Sequence, residues 1–80
     1  MYKRADRYKQ LRIFLDPNPF GGGVVLTVVA RVSRGGRHRD RLLASTRLGH
    51  DLDDASVVET LRHAGEILQR EAERMYESTH

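Results

Sequence analysis

Residues 24–33, VVLTVVARVS, constrain the fold more than any other stretch. Six of the ten are Val or Thr, whose branched Cβ suits a pleated, half-buried surface. The run therefore reads as the central strand of a sheet. SRGGR at 33–37 is a turn signal, and RHRDRLLASTR at 37–47 returns as the next strand. Upstream, LRIFL at 11–15 alternates, with Leu11, Ile13 and Leu15 on one side and Arg12 and Phe14 on the other. Between the first two strands, DPNPFGGG at 16–23 carries two prolines and three glycines, so it reads as a mobile loop.

After a second turn, LGHDLDD at 48–54, helix signals begin. Asp53 or Asp54 can cap, and Ser56 with Glu59 has capping-box spacing. From Ala55 to about Tyr76 apolar residues recur at three and four. This spacing predicts that Val57, Leu61, Ala64, Leu68 and Met75 face a core.

The expected fold class is α+β, with element order β-β-β-α. A three-stranded antiparallel sheet carries one long C-terminal helix on one face. The chain reads as a single small domain, 1–80, with a basic N-terminal arm at 1–10, the sheet at 11–47 and the helix at 53–77. The order is shared with the C-terminal part of double-stranded-RNA-binding domains. Their final helix opens on a basic cluster, whereas Asp53, Asp54 and Glu59 stand here, so only the order is similar.

Composition narrows the functions. The chain has no cysteine, which excludes disulfides, thiolate metal sites and cysteine nucleophiles. MYKRADRYKQ has no apolar leader segment, and the longest apolar run, VVLTVVA, is too short to span a bilayer. These features predict a soluble, cytoplasmic protein. His38, His50, His63 and His80 have no ligand spacing, and no serine or threonine is marked as a nucleophile. His50 reads as a turn residue and His63 as a helix-surface residue. The expectation is a protein that is not an enzyme, with no cofactor, metal or membrane partner.

Charge is unevenly spread. Residues 1–47 hold eleven Lys/Arg against three Asp, net +8, and residues 48–80 hold three Arg against eight Asp/Glu, net −5. Such a split points to an anionic partner for the basic half, or to the acidic half lying against it. The basic density peaks at Arg31, Arg34, Arg37, Arg39 and Arg41, the candidate partner-binding residues.

Where those arginines point depends on the hairpin register. A two-residue Gly35-Gly36 turn pairs Arg31 with Asp40 but sets Arg39 and Arg41 on the same side as Val24, Leu26, Val28, Ala30 and Val32. A three-residue loop, Arg34-Gly35-Gly36, collects the aliphatic residues with Leu42, Ala44 and Thr46, and collects Arg31, Arg37, Arg39 and Arg41 on the other face. A bulge further along either strand would do the same. Burying an aliphatic side chain is worth roughly 1.5–3 kcal/mol, far more than one exposed like-charge pair costs, so the second register is expected. It predicts an exposed arginine face opposite the helix, with an aliphatic patch of Val25, Val29 and Leu43 near its base.

The sequence thus suggests a non-catalytic binding module that engages nucleic-acid backbone through this hairpin. The alternative is a phage-like or mobile-element-type interaction or inhibitor protein that docks on an acidic protein surface. A homodimer through the open sheet face is compatible with either.

Overall fold

In the computed structural model, which describes residues 7–79, the order is β-β-β-α. Strand β1 is Arg7–Pro17, β2 is Val24–Arg34, β3 is Arg37–Leu48, and helix α1 is Val57–Thr79. The sheet is antiparallel in the order β1-β2-β3, so the β-branched run is indeed the middle strand. No helix among the described residues is long and apolar enough to cross a membrane.

Strand β1 starts four residues before the expected Leu11. Arg7 to Gln10 belong to the strand and not to a basic arm, pairing with Arg31 to Ser33 across an irregularity at Lys9. Charged side chains hide the alternation there, and the long β2 supplies the template. Residues 1–6 of the expected arm lie outside the described residues.

Three hydrogen bonds shape the β1–β2 loop. The Asn18 amide donates to the Gly23 carbonyl (3.0 Å), the Phe20 amide donates to Asn18 Oδ1 (3.1 Å), and the Gly23 amide donates to Asp51 Oδ1 (3.1 Å). Gly23 has φ of +88°, and a Cβ there would sit 2.5 Å from the Leu48 carbonyl oxygen.

The hairpin departs from the preferred register. Gly35 and Gly36 both take positive φ, as a two-residue type I′ turn requires. Arg34 pairs with Arg37 and Arg31 with Asp40. A bulge then intervenes, because Val28 pairs with Ala44 and Val29 with Leu42, leaving Leu43 as the extra residue. The turn dictates the register at the tip and the core dictates it at the base. The bulge lets Val24, Leu26 and Val28 share a face with Leu48, Thr46 and Ala44.

Helix α1 begins later than residue 53. Asp53 accepts the Ser56 amide on Oδ1 (2.8 Å), and the Ser56 carbonyl accepts the first helical bond, from the Thr60 amide (2.9 Å). The core comprises Val24, Leu26 and Leu48 from the sheet with Ala64 and Ile67 from the helix, flanked by Leu15 and Leu68. The expected buried set of the helix is therefore corrected. Thr60, Ala64 and Ile67 are the buried helix residues, Leu68 and Met75 are half-buried, and Val57 and Leu61 are exposed. Thr60 can be buried because its hydroxyl reaches the Asp51 carbonyl (3.5 Å).

Candidate nucleic-acid interface

Cross-strand partners share a sheet face, so the register decides where each arginine lies. Arg34, Arg37, Arg39 and Arg41 fall on the face that carries Ala30 and Val32, which is the face that carries the helix lower down. Arg31 falls on the opposite face with Asp40. The expected arginine face opposite the helix is therefore not formed. Four of the five candidate residues are together, but on the other side, and Arg31 is separated from them.

The far face has its own ion pairs. Asp40 accepts from Arg12 on β1 (3.1 Å) and lies 3.7 Å from Arg31 on β2, so one carboxylate holds two guanidiniums across three strands. These groups are about half exposed, and each pair contributes roughly 0–1 kcal/mol. The aliphatic patch beside them also differs from expectation. Val25 and Val29 are half-buried there, but Leu42 and Phe14 accompany them, because the bulge moves Leu43 out of that row.

On the helix side, the tip extends past the end of α1. The helix starts near Asp51 at the base of the sheet and ends near Arg41, since Met75 and Ser78 line a concavity with Tyr8, Arg41 and Leu43. Beyond it, Val32, Arg34, Arg37, His38 and Arg39 enclose a shallow depression. Val32 and Ala30 are nonetheless fully buried. Their cross-strand neighbours are Arg39 and Arg41 on β3 and Tyr8 and Leu11 on β1. Long arginine stems can cover apolar residues while the guanidiniums stay in water.

No protein-family model, no curated protein and no solved structure matches the chain. The site must therefore be read from its own chemistry. The tip presents guanidiniums, whose flat forks match phosphate and carboxylate oxygens.

A second polar cluster lies at the other end. The rings of His50 and His63 meet edge to face, with centroids 5.6 Å apart, and Glu59, Arg62 and Glu66 surround them. The sequence places these two histidines apart, in a turn and on a helix surface, and the structure joins them. Glu59 accepts a hydrogen bond from Arg62 Nη2. That bond, and then the Glu59 charge, raise the Arg62 pKa above its usual value. Among the described residues, no group of three or more His, Asp or Glu could hold a metal ion.

Proposed function

We propose that the hairpin tip grips the backbone of a nucleic acid, and that the protein is a non-catalytic binding module. The observation that carries the reading is the shared face of Arg34, Arg37, Arg39 and Arg41. Arg34 and Arg37 are direct cross-strand partners, which sets two guanidinium-bearing side chains next to the turn. The only carboxylate in the hairpin, Asp40, lies on the other face and engages Arg12 and Arg31. Backbone contacts of this kind bring little sequence preference.

The test is fluorescence anisotropy with short labelled duplex DNA, single-stranded DNA and RNA, between about 50 and 200 mM salt. The wild type should bind with a steep salt slope. The Arg34/Arg37/Arg39→Ala variant should bind far more weakly and lose about 2–3 from that slope, since each phosphate contact contributes roughly 0.9. Arg31→Ala should change little, because Arg31 lies on the far face with Asp40. An absence of binding at the lower salt rules the reading out and directs the search to an acidic protein surface. So does an equal loss in both variants.

A further inference from the structure

The helix leaves part of its own sheet uncovered. Its sheet contacts are mainly with β3. On the helix-side face of β1, Leu11 is 60% and Ile13 53% exposed, although their partners Ala30 and Val28 are buried. The helix flank on that side is also apolar. Leu68 of the helix and Leu15 of β1 each pack against the same core cluster. Leu61 and Ala72, seven before and four after Leu68, continue its row, and Val58 and Gly65 lie beside it. Val58 is 66% and Leu61 59% exposed. A trough results, with Leu11 and Ile13 as its floor and the Leu61–Ala72 flank as its wall.

The molecule is correspondingly poor at burying itself. Its accessible surface is 6551 Å², about a third more than the roughly 4,900 Å² of a compact chain of this mass. Its radius of gyration is 15.3 Å against roughly 12 Å for a compact chain of this length.

We infer that the trough is filled by a second copy of this chain, whose helix lies antiparallel to α1 about a two-fold axis. The helix flank is complementary to itself in that direction. With the axis between Gly65 and Gln69, Val58 of one copy meets Tyr76 of the other and Leu61 meets Ala72. The small Gly65 and Ala72 allow a close approach. Arg62 and Glu73 border this stripe on its solvent side, and the same axis brings Arg62 of each copy opposite Glu73 of the other. Arg62 also reaches Glu59 of its own helix, and Glu73 accepts from Gln69 Nε2 (3.4 Å), so both heads are held along the rim. Because α1 runs from base to tip, the antiparallel pairing sends the two arginine tips to opposite ends. A parallel pairing would crowd them. The inference is independent of what the tips bind.

Sedimentation equilibrium of the full chain across the micromolar range tests it, with circular dichroism as a check on folding. The wild type should be dimeric, and Leu61→Glu and Ile13→Glu should be folded monomers. Arg62→Glu and Glu73→Arg sit on the exposed helix surface and leave the core intact. Each alone should weaken dimerisation on the order of tenfold by setting like charges opposite one another. An equimolar mixture of the two should recover the affinity, because the swapped charges pair again between copies. A monomeric wild type overturns the inference. So does a dimer that Leu61→Glu and Ile13→Glu both leave intact, or a mixture no tighter than its components.

Discussion

Gly23 shows how much one residue can decide. Its positive φ and the 2.5 Å approach to the Leu48 carbonyl are two separate reasons why no side chain fits. Gly22, its neighbour, has open space where a Cβ would stand and an ordinary φ. Gly23→Ala should therefore destabilise the protein by roughly 1–3 kcal/mol, whereas Gly22→Ala should be neutral or stabilise by up to about 1 kcal/mol. Paired urea titrations check the contrast, and equal midpoints for the two variants would refute it. The glycine run announces a loop in the sequence, but which glycine is obligatory depends on a carbonyl 25 positions away. Thr60 is hidden in the sequence for a similar reason. The row Thr60, Ala64, Ile67 and Glu71 has helical spacing, but its ends are polar, so the greasier row at Leu61, Leu68 and Ala72 draws the eye. The first row is the one that packs on the sheet, and the Asp51 carbonyl lies 3.5 Å from the buried Thr60 hydroxyl.

The strands and helix follow from local preferences, and their alignment does not. The type I′ turn at Gly35-Gly36 and the apolar base demand pairings one residue apart. The bulge at Leu43 reconciles them. Deleting Leu43 should remove the bulge and leave Val29 opposite Leu42 and Val28 opposite Ala44, so that Ala44, Thr46 and Leu48 keep their face. A cooperative thermal transition should therefore be retained, read by circular dichroism. Loss of that transition would show that the bulge itself is required, and not only the registers on either side of it. The sequence allows for a bulge along either strand but favours a three-residue loop at the turn. That preference treats the register as uniform along the hairpin. The outcome for the candidate site is a change of face: Arg34, Arg37, Arg39 and Arg41 stay together, and Arg31 leaves them for Asp40.

At the scale of the whole molecule, the shape is elongated, 52 × 25 × 18 Å, with the basic tip past the helix terminus. A small core of this kind gains from any partner that binds the folded form alone. If the trough is covered by a second copy, the midpoint of thermal unfolding should rise with protein concentration. The Leu61→Glu midpoint should not. Scanning calorimetry at several concentrations distinguishes them, and a wild-type midpoint independent of concentration would count against the dimer.

From its sequence alone this chain determined the element order, the central strand, the presence of a turn within residues 33–37, the helical segment and the concentration of arginine near the hairpin tip. All of these rest on backbone preference, side-chain periodicity or charge count, which act over a few neighbouring residues. The tertiary structure alone decided which helix row is buried, where the bulge falls, which strand face each arginine occupies and which part of the sheet stays bare. Those outcomes depend on burial shared between residues distant in the chain, and a competition between two such demands has no local signature.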